Sequence, residues 1–280
     1  MRTDGGRYGD PVAAPVDPSA IETFDRDGVV VLRSIFSDWI DTLAAGVATN
    51  EAEPGEYFAE NVPAGEPGRF WDDYVNWRRI PEFERFARES DAAALAAELM
   101  GSTTVQLFHD HVLVKDPGTD TATPWHSDRP YYFVDGRHTV SFWIPLDPVD
   151  DQSTLRLIAG SHRWDRDVLP VRWLGGEDFY PDPGGYLPVP DPDADPDRYR
   201  VCSWALEPGD AVAFHFGVVH GARAGSRSGH RPRRGAARRP AVDSGRGCPG
   251  RTSPPFPGHG MVDGDRLRED WFPTLIGASR

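Results

Sequence analysis

Thr104-Val105-Gln106-Leu107-Phe108-His109-Asp110-His111-Val112-Leu113-Val114-Lys115 is the stretch at which the chain changes its period. From Thr104 apolar and polar residues alternate, which predicts a half-buried strand. Before it the apolar spacing is helical. Ser19 and Glu22 stand at capping-box spacing and predict a helix from about Ser19. Asp27-Gly28 then turns the chain into a short strand, Val29 to Leu32. A second helix is predicted from Ser37, with Ile40, Leu43, Ala44 and Val47 on one face, and a third over Glu82 to Met100, ended by Gly101. After the switch, strands are predicted at His138 to Leu146, Thr154 to Ile158, Cys202 to Leu206 and Ala211 to Phe216. The order predicts a mainly β fold with flanking α-helices packed on a β-core.

The composition bounds the function. With 30 basic and 44 acidic residues in 280, the net charge is −14, which argues against nucleic acid, since a phosphate backbone needs a positive surface. Two cysteines, Cys202 and Cys248, are too few for a disulfide scaffold and fit a cytoplasmic protein. Neither a signal peptide nor a run of about 18 apolar residues is present. Residues 1–17 read as a disordered leader and 18–280 as one domain. The Pro-, Gly- and Asp-rich residues 181–198 form a loop long enough to expect a functional role.

Trp125-His126-Ser127-Asp128 is the sharpest local feature. On a strand, positions i and i+2 share a face, so His126 and Asp128 would aim an imidazole and a carboxylate into the same space. The turn Pro208-Gly209-Asp210 feeds the apolar run Ala211 to Phe216, and His220 lies just beyond it. Two histidines and one carboxylate leave three positions of an octahedral iron open. An isolated H-x-D pair carries little weight among nine histidines, and a hydrogen-bonded core histidine is the ordinary alternative. His215 competes with His220, but its setting between Phe214 and Phe216 reads as a strand position.

The order of the motifs is more specific than any one of them. Lys115-Asp116-Pro117-Gly118 precedes Thr123-Pro124-Trp125-His126-Ser127-Asp128, then Ser141-Phe142-Trp143-Ile144-Pro145-Leu146-Asp147. Thr154-Leu155-Arg156-Leu157-Ile158-Ala159-Gly160-Ser161-His162-Arg163-Trp164 follows, and Pro208-Gly209-Asp210 through His220-Gly221 closes the series. Together with Phe24 to Leu32, these resemble the phytanoyl-CoA dioxygenase family of iron(II)/2-oxoglutarate oxygenases over roughly residues 20–231. The resemblance implies a double-stranded β-helix, with iron(II) held by His126, Asp128 and His220, and 2-oxoglutarate and O2 as co-substrates. It implies Arg231, eleven residues after His220, as the clamp on the far carboxylate of 2-oxoglutarate. A guanidinium suits that role by pairing bidentately. Trp143, Ser127 and Lys115 are further expected contacts to the co-substrate; the family often has Gln where Ser127 stands. Asp128 favours hydroxylation or desaturation over halogenation, since related halogenases lack the carboxylate. The expected partner is a small organic metabolite, with neither nucleic acid nor membrane.

After Arg231 the resemblance breaks. Residues 217–255 contain no Phe, Trp or Tyr, and Arg223 to Arg251 holds nine arginines and one acid, Asp243. Pro232 to Cys248 has no alternation and is not expected to make a buried strand, although the fold needs one there. A solvated basic loop and a polyanion patch are two readings. The favoured third is a pair of compensating frameshifts near codons 232 and 249. The same break supports an alternative function, a degenerate barrel that binds metal or ligand without turnover.

Overall fold

The computed structural model describes residues 16–277 apart from 66, 117, 120, 135, 174–175, 181–183, 224–232, 242–251 and 263, with 233–241 described as backbone. The expected leader falls almost wholly on residues 1–15, outside the described residues. Its last two residues belong to the fold: Val16 is buried and its N–H donates to Glu98 Oε2 (2.8 Å).

The helices are α1 (Pro18–Asp27), α2 (Ile40–Ala52), α3 (Pro81–Glu89) and α4 (Ala92–Met100). The strands are β1 (Val29–Leu32), β2 (Ala59–Glu60), β3 (Phe70–Tyr74), β4 (Val105–Lys115), β5 (Thr123–His126), β6 (Ser141–Pro145), β7 (Arg156–Ile158), β8 (Val201–Cys202), β9 (Ala211–Phe214), β10 (His220–Ala222), β11 (Arg233–Ala241) and β12 (Thr274–Ile276). The fold is mainly β with a few helices, as the sequence suggests. Among the described residues no helix is long and apolar enough to cross a membrane.

Two helix expectations need correction. The N-cap of α1 is Asp17, not Ser19: its carboxylate accepts from Ser19 N–H (2.8 Å). Pro18 decides this, because proline is pre-organised for the first helical position and forces the residue before it to be extended. The expected single helix 82–100 is two helices. Ser90 is extended (φ −82°, ψ 164°) and ends the first helix, its hydroxyl donating to the Phe86 carbonyl and accepting from Ala92 N–H, while Asp91 is the N-cap position of the second.

Two sheets form the β-core. The larger has strand order β1-β9-β6-β11-β4-β3-β2, with β12 also on β4; the smaller has order β5-β10-β7-β8. The outer face of the large sheet carries Val30, Trp71, Val112, Val114, Phe142, Ile144, Ala211 and Ala213, packed against Leu43, Val47, Phe83, Phe86 and Leu99 of the helices. The opposite face turns toward the small sheet. Val29, Val212 and Phe214 pack there with Leu157 of β7 and the partly buried Trp143. Period-2 alternation thus divides the sheet into a helix-facing apolar side and a side that contains the chemistry.

The sequence does not predict a buried strand over Pro232 to Cys248, yet the backbone of Arg233–Ala241 forms a strand in the large sheet. β11 lies between β6 and β4 and pairs antiparallel with both. Ladder bonds use backbone groups, which every residue except proline supplies in full. Pro240 stands where the β11–β4 register shifts, between Arg239 and Pro240, a position at which a missing N–H is tolerated.

Candidate metal centre

His126 ends β5 and His220 begins β10, and the two are direct cross-strand partners in an antiparallel pair. Cross-strand partners share a face, and their rings lie 4.3 Å apart between centroids. Asp128 arrives differently from the expectation. The strand ends at His126, and Asp128 sits in helical backbone (φ −74°, ψ −35°) ahead of the turn Arg129–Tyr131. The Phe216 carbonyl fixes this bend by accepting from the N–H groups of both Asp128 (2.9 Å) and Arg129 (3.0 Å).

Potential ligand atoms of His126, Asp128 and His220 all lie within 4.8 Å of one another, and all three residues are buried. Asp128 Oδ1 is 3.8 Å from His126 Nε2 and 4.0 Å from His220 Nε2. These separations are too long for direct hydrogen bonds and suit three donors around one ion. The other ring nitrogens fix the tautomers. His126 Nδ1 meets the Pro124 carbonyl at 2.8 Å and His220 Nδ1 meets the Val218 carbonyl at 2.9 Å. A carbonyl only accepts, so each Nδ1 carries the hydrogen and each Nε2 presents a lone pair in the neutral ring, the form that ligates a metal.

His215 has a different task. Gly217 N–H donates to its Nδ1 (2.9 Å), and its Nε2 is 3.2 Å from the Arg137 carbonyl, to which it donates. The ring thereby shapes the turn that leads into His220. Burial pushes its pKa down to about 3, with His162 and Arg129 adding to the effect.

A cavity of about 480 Å³ opens beside His126 and Asp128. Trp173 forms one wall, with its ring 5.3 Å from that of His126. Tyr131 forms another; burial first, and the Asp128 charge next, hold its phenol well above the usual tyrosine range. Asn61, Asp72, Tyr74 and His111 line the end formed by the large sheet. Sequence reading missed this group. The usable signal was the alternation of β4, which places His109 and His111 on one face with Leu113 and Lys115.

The other expected contacts do not line this cavity. Lys115 Nζ donates to the Thr121 carbonyl (2.7 Å) and lies 4.5 Å from the Phe70 ring centroid. The Ser127 hydroxyl is buried without a partner among the described residues. Trp143 packs in the layer between the sheets. Arg231 lies outside the described residues.

A family model described as Phytanoyl-CoA dioxygenase (PhyH) matches residues 24–235. No match was found among curated protein sequences. Among solved structures, the chain is similar to the non-heme alpha ketoglutarate dependent carbocyclase SnoK from nogalamycin biosynthesis, at 21% identity and TM-score 0.67, over 93% of this chain and 97% of that one. The epimerase SnoN, in complex with Fe3+, alpha ketoglutarate and nogalamycin RO, is similar at 22% identity and TM-score 0.69, over 92% and 100%. EctD from S. alaskensis with bound Fe is similar at 23% identity and TM-score 0.61, over 82% and 78%. At these identities the likeness speaks for the fold.

Proposed function

The chain belongs to the phytanoyl-CoA dioxygenase family, and from that premise we propose that it is an iron(II)/2-oxoglutarate-dependent oxygenase that hydroxylates or desaturates a small organic metabolite. The observation that carries this reading is the set of donor atoms: two imidazole Nε2 lone pairs, fixed by their Nδ1 bonds, and one carboxylate, all within 4.8 Å. Two of the structures similar in fold are described with iron and one of them with alpha ketoglutarate, which supports the same cofactors. We take the two sheets as the major and minor sheets of a double-stranded β-helix, and residues 18–280 as one domain.

His126, Asp128 and His220 would hold iron(II) and leave three positions open. Bound iron supplies the activation of O2, with 2-oxoglutarate oxidised to succinate and CO2. The protein's part is to bind, orient and exclude water. Trp173 and Tyr131 flank His126 and shield it from solvent. The Pro124 and Val218 carbonyls hold the two imidazoles in their ligating tautomer. Arg231 is proposed as the partner of the far carboxylate of 2-oxoglutarate, with Trp143, Ser127 and Lys115 as further contacts.

The test is anaerobic titration of the metal-free protein with iron(II) and 2-oxoglutarate, read as the visible charge-transfer band of chelated 2-oxoglutarate. The expected result is a band in the wild type that is lost in His126→Ala. Failure to bind iron overturns the reading. Iron bound without the band favours the second reading, a degenerate barrel without turnover. The specific support for that reading is the run of nine arginines between Arg223 and Arg251, where the co-substrate clamp is expected.

A further inference from the structure

The cavity has a second polar end, away from the metal ligands. β3 and β4 pair so that Asp72 faces Leu113 and Tyr74 faces His111, which puts Asp72, Tyr74 and His111 on the inner face of the large sheet. Asp72 is 4% exposed and His111 2%. Asp72 Oδ2 meets His111 Nε2 at 2.8 Å, and Oδ1 accepts from Asn61 Nδ2 at 2.6 Å. Tyr74 stacks on His111, with centroids 3.8 Å apart and planes at 18°. Trp173 links the two ends, 6.2 Å from the His111 ring and 5.3 Å from the His126 ring.

Three other buried aspartates are balanced by arginine: Asp27 by Arg26 and Arg200, Asp73 by Arg79, Asp210 by Arg33. Among the described residues, the ion-pair partner of Asp72 is His111 alone. A buried carboxylate needs its charge and lone pairs answered. Its two oxygens offer about four acceptor sites, and Asn61 and His111 take one on each oxygen. The remaining capacity belongs to a residue that lines the cavity.

The rest of the lining narrows what enters. Arg172 is the one lysine or arginine among the described lining residues, and a polyphosphate would call for several. Among the described lining residues the aliphatic ones are Ala59, Val171, Pro254 and Pro255, scattered rather than joined in a wall that would suit a long acyl chain. The broad faces are aromatic, and flat aromatic faces receive rings and cations.

We propose that Asp72, held by Asn61 and His111, is the substrate-anchoring group of this cavity. It accepts N–H or O–H donors from a ring-bearing amine or polyol, whose other end lies at His126 and Asp128; an acyl-CoA thioester does not fit. The inference rests on reading the cavity as the substrate side of the oxygenase centre.

The test uses the metal-free full-length chain and saturation-transfer NMR with three probes: benzylamine, phenyl β-D-glucoside and octanoyl-CoA. The expected result is binding of benzylamine or of phenyl β-D-glucoside, weakened at least tenfold by Asp72→Asn, with no Asp72-dependent binding of octanoyl-CoA. Which donor probe binds assigns the group as amine or hydroxyl. Absence of Asp72-dependent binding for both donor probes overturns the proposal, as does octanoyl-CoA being the bound probe. Should Asp72→Asn fail to fold, Trp173→Ala decides: it leaves the Asp72 hydrogen bonds intact, and undiminished probe binding overturns the proposal. Probe binding without iron is independent of the charge-transfer band. A missing band therefore sinks the oxygenase reading while leaving the anchoring site to be judged on its own.

Discussion

The phenol oxygen of Tyr131 donates to the carbonyl of Val171 (2.6 Å) and accepts from the N–H of the same residue (2.8 Å). One side chain thus satisfies both backbone groups of a residue forty positions away. Its neighbours grip the same segment: Arg129 pairs with Asp167 (2.6 Å), and Tyr180 donates to the Pro130 carbonyl (2.6 Å). The three residues after Asp128 therefore tie the loop that carries Trp173 to the metal ligand itself. Tyr131→Phe keeps the ring but removes the partner of both Val171 groups; Val171 is only half-buried, so each costs less than the roughly 1–3 kcal/mol of a fully buried unpaired group. Expected outcomes are a lower melting temperature and faster hydrogen exchange over 167–173, with the iron/2-oxoglutarate band retained. Unchanged exchange there would show that the latch does not hold the loop.

His215 gives the acid limb of stability a definite sign. Its folded pKa is about 3, against about 6.5 in an unfolded chain. Between these values the unfolded state binds the extra proton. The contribution is therefore complete above pH 6.5 and is lost as pH falls from 6.5 toward 3, at up to about 1.4 kcal/mol per unit. His162, also lowered by burial, acts in the same direction. Denaturant unfolding of His215→Gln across pH 4–8 is expected to show lower stability at pH 8 and a shallower fall on acidification. An identical slope in variant and wild type would place the acid sensitivity elsewhere.

Iron ought to stabilise the fold, because its donors converge only when β5 and β10 are paired. A ligand present at a hundredfold excess over its Kd adds about 2.7 kcal/mol. Anaerobic melting with iron(II) is expected to rise in the wild type and to stay at the metal-free value in His126→Ala, Asp128→Ala and His220→Ala. A rise that survives all three substitutions would move the metal away from this triad.

What was legible in the sequence was local or carried by order. β1 falls on Val29–Leu32 as its apolar run suggests, and the three ligand candidates converge as the sequence of motifs implies. The backbone of Asp128 was not legible, because its bend is set by the Phe216 carbonyl, a contact made across the fold. The Asp72–His111 pair spans 39 positions and is created by the register of β3 against β4, which no local pattern specifies. Trp173 reaches the site from a loop that Tyr131 hydrogen-bonds at Val171, forty positions away. The break between α3 and α4 falls at Ser90, whose hydroxyl bonds back to the Phe86 carbonyl, a contact that periodicity alone passes over.

β11 poses the sharpest conflict between sequence and fold. Its register sets position 234 opposite Val114, position 236 opposite Ile144 and Val112, and position 238 opposite Phe142. These partners are buried against the helices, and in-register partners share a face. The sequence offers Arg234 and Arg238 at two of the three positions, position 238 also standing opposite Asp110 of β4, whereas a valine facing such apolar partners typically contributes roughly 1.5–3 kcal/mol by burial. The frameshift reading expects one of the alternative frames between codons 232 and 249 to encode alternating aliphatic and aromatic residues at 234, 236 and 238. The double substitution Arg234→Val, Arg238→Val is expected to raise the melting temperature and to strengthen the iron/2-oxoglutarate band. A resequenced gene whose other frames lack that alternation, together with no gain in the double variant, would show that this segment is native as it stands and that the strand tolerates its arginines.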